Sequence, residues 1–413
     1  MKNYIHRDLE PALRERLRDF PCVAVTGPRQ AGKSTLLRAV LPDYTYLTLD
    51  DPQIRQMTVQ DPEGFLDTLG ERGIVDEIQY APELLSYLKL RIDRERARCG
   101  RYVLTGSQQF VLMKGISESL AGRVGLLEVM PFDLAEKRRG RGLGRALASA
   151  RGAFEQACLK GSFPEAVVRR NLNRDTWQAA YLQTYLERDV RMLYDIDNLR
   201  DFERFLQLLA ARCGQMLNLS AFSRDLGVGV NTIKRWLSVL DACRIVVLLP
   251  PYYNNLGKRV TQASKVYFLD CALVCYLTGI RDAEHLFKGP MAGALFENFC
   301  IIETFKALLA RGVRPQLFYI RTAAGNEVDL LVEVANGRLW PVEFKLSRTP
   351  KLSMADALKT YRKTFAVLSP ERGAVVALAD EDRRLSADAD LLSLDSFLAR
   401  VVALHKGHAP IKG

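Results

Sequence analysis

Short apolar runs separated by stretches of helical periodicity open the chain. Cys22–Thr26, Tyr44–Leu49, Ile74–Val75 leading into Asp76, Tyr102–Thr105 and Leu126–Met130 read as buried strands. Between them, Thr35–Val40 and Glu83–Ile92 repeat apolar residues at helical spacing. Strands alternating with helices predict a parallel sheet covered on both faces. From residue 152 to about 212 the pattern is helical, and Trp177–Leu193 sets Tyr181, Leu182, Tyr185, Leu186, Val190 and Leu193 on one stripe. Residues 215–280 change to two short helices, a turn and strand-like runs. A long amphipathic helix is expected from Leu295, then strands Leu317–Ile320, Glu327–Val334 and Leu339–Lys345. A helix near Lys359 and a strand Ala374–Leu378 follow, and no internal repeat is visible.

Composition narrows the class. The 413 residues are 48% hydrophobic and 26% charged, which is ordinary for a globular chain and excludes a disordered one. The strongest apolar run, Ile245–Leu249, stops at Pro250-Pro251, far short of a membrane span. The first eight residues lack the apolar segment of a secretory signal. Eight cysteines without Cys-x-x-Cys spacing, and only four histidines, argue against a zinc site. They read as small core residues of a reduced, cytoplasmic protein. Against 48 acidic residues stand 59 Lys and Arg, an excess of +11. Lys137–Arg151, which reads as a loop or linker, holds +6 of it, and residues 224–265 hold +5. Two basic patches point to a polyanionic partner. With no aromatic platform for RNA and no amphipathic membrane anchor in view, DNA is the expected one.

The strand Val23-Ala24-Val25-Thr26 runs into Gly27-Pro28-Arg29-Gln30-Ala31-Gly32-Lys33-Ser34-Thr35 and then a helix. This is the Gly-x-x-x-x-Gly-Lys-Ser phosphate loop in its strand–loop–helix setting. Its glycines let backbone N–H groups converge on an anion, at the positive end of the following helix. Lys33 would reach the β- and γ-phosphates of ATP, and Ser34 would ligate Mg²⁺. The apolar strand ending in Asp76-Glu77 supplies the second acidic element. Asp76 would hold Mg²⁺, directly or through water, and Glu77 would activate the attacking water. Ser107, just past the next strand, is the candidate polar contact to the γ-phosphate or the water.

These stretches, with others, resemble the prokaryotic AAA-superfamily ATPases that carry a C-terminal region with a restriction-endonuclease-like core. The matching blocks are GPRQAGKST, Tyr46–Asp51, IVDEIQYAPELL, LTGSQ and SLAGRVGLLEVMPF, then GSFPEAV, YLERDV and VYFLDCALVCYLTG, and finally LFENF, GNEVDLLVE and VEFKLS. They keep their order over nearly the whole chain. Lys137–Arg151 departs from the pattern, being longer and richer in arginine. The resemblance implies an arginine supplied by a neighbouring subunit, hence a homo-oligomer. Arg123 and Arg188 are the candidates, with a structural salt bridge as the alternative for each.

Leu219–Gly227 and Val230–Leu237 read as a helix-turn-helix whose second helix turns Asn231, Thr232, Lys234 and Arg235 outward. Ile245–Leu249 and Val266–Leu269 would form a hairpin wing, with Lys258, Arg259 and Lys265 at its tip or legs. Asn231, Thr232, Lys234, Arg235, Lys258 and Arg259 are the candidate DNA contacts; an oligomerisation or lid module is the alternative.

Farther on, Asp329 lies on one strand, and Glu343-Phe344-Lys345 on the next. An acidic residue followed by Glu-x-Lys is the signature of the restriction-endonuclease-like fold. Period-two alternation puts Glu343 and Lys345 on one face. Asp329 and Glu343 could share Mg²⁺ or Mn²⁺, with Lys345 beside the water or scissile phosphate. Glu297, early in the preceding helix, could ligate a second metal or orient a water.

The expected class is therefore α/β in four parts. An AAA-type P-loop ATPase domain spans 1–135, a helical lid or linker 136–212, a winged helix 213–285 and a restriction-endonuclease-like domain 286–413. The expected function is ATP turnover coupled to action on DNA. The alternative is a nucleotide-gated regulator or protein-docking switch whose nuclease-like domain is inert.

Overall fold

A computed structural model describes residues 4–106, 119–140, 143–169, 171–185, 199–252, 263–321, 325–334, 337–365 and 372–405. Among the described residues, strands form three sheets. The first contains β1 (Cys22–Thr26), β2 (Thr45–Thr48), β3 (Gly73–Asp76), β4 (Tyr102–Thr105) and β5 (Val124–Glu128), in the order β2-β3-β4-β1-β5. Every pairing in it is parallel, as the strand–helix alternation predicts. Alternation along each strand builds two cores. Cys22, Ala24, Val75 and Leu104 face the helices Pro62–Leu69 and Leu84–Arg94, while Val23, Val25, Ile74 and Val103 face Glu10–Asp19 and Lys33–Val40. The carboxyl ends of β1, β3 and β4 thus meet at one edge, where the phosphate loop and Asp76 lie.

Among its described residues the middle region is mainly helical up to Ala211. Leu219–Leu226 and Val230–Ala242 follow, and then an antiparallel pair, β6 (Val246–Leu249) with β7 (Lys265–Phe268). The first of these helices ends on Gly227 at φ +72°, a left-handed cap that suits glycine. Phe222, Leu226, Ile233 and Leu237 are buried between them, as their spacing predicts.

The third sheet has the order β12-β13-β11-β10-β9-β8. Its strands are β8 (Leu317–Arg321), β9 (Glu327–Val334), β10 (Arg338–Lys345), β11 (Gly373–Ala377), β12 (Arg383–Arg384) and β13 (Ala389–Leu392). β8, β9 and β10 are antiparallel neighbours. β11 lies parallel to β10, after the helix Asp356–Thr364. The helix before β8, Ala292–Leu309, is not the amphipathic element expected. It is buried nearly all round, with Asn298, Glu303, Thr304 and Lys306 as well as its apolar residues inside. It sits between β10, β7 and the helices Ala150–Leu159 and Leu394–Leu404, so no broad polar face is left for water.

A second correction concerns Lys137–Arg151. Part of it is the end of a helix, Leu134–Arg139, where one cation is buried and two are paired. Lys137 is 2% exposed, Arg138 binds Asp395 and the Leu147 carbonyl, and Arg139 binds Asp8. Long-range partners, invisible in local sequence, engage part of this expected patch, while Arg145 and Arg151 stay exposed. All eight cysteines are free thiols, seven of them buried. Among the described residues no helix is long and apolar enough to cross a membrane.

Candidate functional site

The phosphate loop leaves β1 at Gly27, whose φ is +132°. A Cβ there would stand 2.0 Å from the Val129 carbonyl oxygen, so only glycine fits. Gly32, at φ +92°, precedes the helix Lys33–Val40 and opens it toward the loop. The Lys33 ammonium curls back to the carbonyls of Gly27 and Pro28, each 3.0 Å away. Beside it the Ser34 hydroxyl donates to Asp76 Oδ2 at 2.9 Å. The two expected Mg²⁺ positions are therefore adjacent, although 42 residues separate them. Asp76 is 5% exposed and fully engaged: Tyr46 donates to Oδ2 and Thr105 to Oδ1. Burial, and then the bond to Asp76, raises the Tyr46 pKa. Tyr46 and Thr105 escaped the sequence reading because their role depends on strand order, not on any motif.

Glu77 follows in a left-handed conformation, φ +59°, uncommon for a glutamate and costing of order 1 kcal/mol or more. Its amide donates to the Thr105 hydroxyl at 3.3 Å, and Gln79 donates to its carboxylate. This turn directs Glu77 to the wall of a cavity of about 710 Å³. Arg29, Gln30, Lys33, Ser34 and Thr35 line the same cavity. The opposite wall comes from the middle region: Pro164, Glu165, Arg169 and Tyr181 among others. Arg169, which the sequence reading overlooked, pairs with Glu165, four residues back, at 2.6 Å. Arg123 does not line the cavity. Its guanidinium holds Asp93 through two bonds, at 2.6 and 2.9 Å, and the Ala121 carbonyl at 3.0 Å. Ser107 and Arg188 lie outside the described residues.

A second cluster forms where β9 and β10 pair. Lys345 Nζ is 2.5 Å from Glu343 Oε2 and 3.7 Å from Asp329 Oδ2, and the Phe344 amide donates to Asp329 Oδ2 at 2.9 Å. Glu343 is 2% exposed, and its second oxygen, Oε1, is buried with no hydrogen-bond partner. Burial and then Asp329 push the Glu343 pKa up to about 8. Burial works against the charge on Lys345, but Asp329 and Glu343 outweigh it and its pKa is raised.

Glu297 approaches this cluster from the helix Ala292–Leu309. Burial and the nearby Asp329 raise its pKa. Its Oε1 is held by Lys265 at 2.9 Å and by the Tyr267 hydroxyl at 2.5 Å, and Lys265 also binds Glu327 at 2.5 Å. Lys265, expected at the tip or legs of a hairpin wing, starts β7 and adds no charge to the surface. At 3% exposure it is an internal cation, balanced by carboxylates from a helix and a strand. Asn298 fixes β7 in that place, exchanging bonds of 2.7 and 3.0 Å with the Phe268 backbone. Among the described residues no group of three or more His, Cys, Asp or Glu is disposed to hold a metal ion.

On the helix Val230–Ala242, Asn231, Lys234 and Arg235 are exposed and Thr232 is half-buried. Lys258 and Arg259 lie outside the described residues.

Residues 19–137 match the AAA domain model. Over 349 residues the chain is 34% identical to the uncharacterized proteins Rv2008c of Mycobacterium tuberculosis and Mb2031c of Mycobacterium bovis, covering 84% of this chain and 75% of each relative. The chain belongs to their family, built on an AAA-type P-loop ATPase domain. Residues 151–284 and 292–397 match two domains of unknown function, DUF8612 and DUF4143. Among solved structures, the Walker-type ATPase PABY2304 of Pyrococcus abyssi aligns at 18% identity and TM-score 0.46, over 66% of this chain and 96% of its own. The ORC1 protein of Aeropyrum pernix, solved in complex with DNA, aligns at 17% identity and TM-score 0.28, over 67% and 93%.

In this AAA-family chain the ATPase cavity and the carboxylate cluster both cross the boundaries of these matches. Pro164 and Arg169 belong to the DUF8612 stretch yet wall the AAA cavity. Lys265 and Tyr267 belong to the same stretch yet hold Glu297 of the DUF4143 stretch.

Proposed function

We propose that this AAA-family protein couples ATP hydrolysis to metal-dependent cleavage of DNA. At the first site, backbone N–H groups of residues 29–33 and the Lys33 ammonium would hold the phosphates, with Ser34 and Asp76 taking Mg²⁺. The adjacency of Ser34 and Asp76 and the glycine-only approach at Gly27 fit those groups. Bound Mg²⁺ would offset phosphate charge. Glu77 would take a proton from the attacking water, and Arg169, on the facing wall, would meet the terminal phosphates.

One observation carries the second half of the reading: Asp329, Glu343 and Lys345 converge, with a buried Glu343 oxygen that no protein group satisfies. A buried, unsatisfied carboxylate oxygen is costly in the protein alone, and a divalent cation suits it. Asp329 and Glu343 would hold that cation, which would polarise a bound water and the scissile phosphate. Lys345 would stabilise charge on the phosphate. The order of elements, helix then β8, β9, β10, helix and the parallel β11, is compatible with a restriction-endonuclease-like core. The helix pair followed by β6 and β7 supports a winged helix as the DNA-facing part.

The test is direct. Full-length protein with Mg²⁺ or Mn²⁺ and linear, single-stranded or branched DNA should nick or cut at least one form. Lys345→Ala should abolish the cutting. Loss of cutting on chelation of the metal should accompany it. If neither metal elicits cleavage of any form, the second reading gains: a nucleotide-gated regulator with an inert domain. Its supporting observation is that Lys265 and Tyr267 already engage Glu297.

A further inference from the structure

We infer that Arg7, upstream of the stretch matching the AAA model, is a positioning residue for the phosphate loop and joins that loop to the helix bearing Glu297. The inference rests on the nucleotide-binding reading of the loop.

Arg7 is 7% exposed, and each of its guanidinium nitrogens donates a bond. Nη1 reaches the Ala31 carbonyl, inside the phosphate loop, at 3.0 Å. Nη2 reaches the Met130 carbonyl, beyond β5, at 2.5 Å. Nε reaches Glu136 Oε1 at 2.9 Å. A planar fork holds these three acceptors in fixed relation, which a lysine cannot do. The Ala31 bond sets the peptide just before Gly32, where the chain turns into the helix that carries Lys33 and Ser34. Nη1 also lies 3.6 Å from where a Gly32 Cβ would stand, so Arg7 forms part of the loop's wall.

From Glu136 the contacts continue without a break. Glu136 and Asp133 cap the helix Leu134–Arg139 reciprocally. The Leu134 amide, at the start of that helix, donates to Glu303 Oε2 at 2.6 Å. Lys306 ties Glu303 Oε1, at 3.2 Å, to the Phe132 carbonyl, at 3.3 Å. Glu303 and Lys306 are buried, and both belong to Ala292–Leu309. Glu297 lies six residues before Glu303 on that helix, roughly 9 Å along its axis. A buried charge network tolerates little loosening, because each stranded charge is costly. A shift of the Ala31 peptide on nucleotide binding is therefore transmitted to the helix through Arg7, Glu136 and Glu303.

Two measurements on the full-length protein test this. In the first, Arg7→Lys and Lys33→Ala are compared with wild type for affinity toward a fluorescent ATP analogue and for the KM and kcat of phosphate release. Arg7→Lys is expected to weaken nucleotide binding about tenfold and to raise KM more than it lowers kcat. Affinity within twofold of wild type overturns the role of Arg7. If Lys33→Ala also leaves affinity unchanged, the nucleotide reading falls and this inference with it. The second measurement needs no variant. Hydrogen exchange of wild-type protein with and without Mg²⁺ and ADP is expected to slow at 133–137 and 303–306 as well as in the loop. Protection confined to the loop and its helix overturns the connection, whether or not Arg7→Lys folds.

Discussion

Glu77 shows how a single residue is made ready for chemistry by its backbone. Its left-handed turn, held by Thr105 and Gln79, takes the side chain off the line of β3 and into the cavity. Glu77→Gln keeps shape and hydrogen bonding but removes the basic carboxylate. Nucleotide affinity should stay within a few-fold while turnover falls at least about 100-fold, as measured by phosphate release. Unchanged turnover would remove Glu77 from its assigned role. At this scale the sequence was most legible where covalent spacing does the work. The Gly27-to-Ser34 spacing and the period-two relation of Glu343 to Lys345 are local facts, and folding preserves them. Tyr46, Thr105 and Arg7 were not legible. Their partners are an aspartate on another strand and backbone carbonyls far along the chain, and neither leaves a local mark.

Among elements, the lesson concerns charge. Summing formal charges located +6 in Lys137–Arg151 and +5 in residues 224–265, but a sum cannot tell a paired cation from a solvated one. Lys137, Arg138, Arg139 and Lys265 are internal or paired. Lys234 and Arg235 are exposed on the helix Val230–Ala242. Among the described residues the DNA-binding expectation accordingly rests on that helix, Lys258 and Arg259 lying outside them, and not on the whole excess. Lys234→Ala with Arg235→Ala should weaken DNA binding and flatten its dependence on salt. The slope of log affinity against log salt should fall by about 2 if both contact phosphate. An unchanged slope would make the helix pair a protein-docking element. The same distinction explains Ala292–Leu309: its apolar spacing suggested one wet face, but neighbours close on most of it.

For the whole molecule, one apolar core runs from Met130 to Val401 and includes Phe154, Phe205, Trp236, Phe268, Phe299, Trp340 and Phe397. The AAA sheet has its own two clusters. Residues 151–397 should therefore melt and exchange as one cooperative unit, despite the two family matches that divide them. Trp340→Ala, in the third sheet, should speed amide exchange in Val230–Ala242 as well as in β9 and β10. Exchange altered in the sheet alone would show that the core is divided.

The placement of Lys265 bears on how such chains can be rearranged over evolutionary time. A domain that travels between proteins must carry its own counter-ions. The stretch from residue 292 onward lacks one of its own, because the cation that holds Glu297 is Lys265 on β7, before it begins. Its inheritance is thus tied to that of the preceding strand pair, and recombination between them would leave Glu297 to find another cation or be lost.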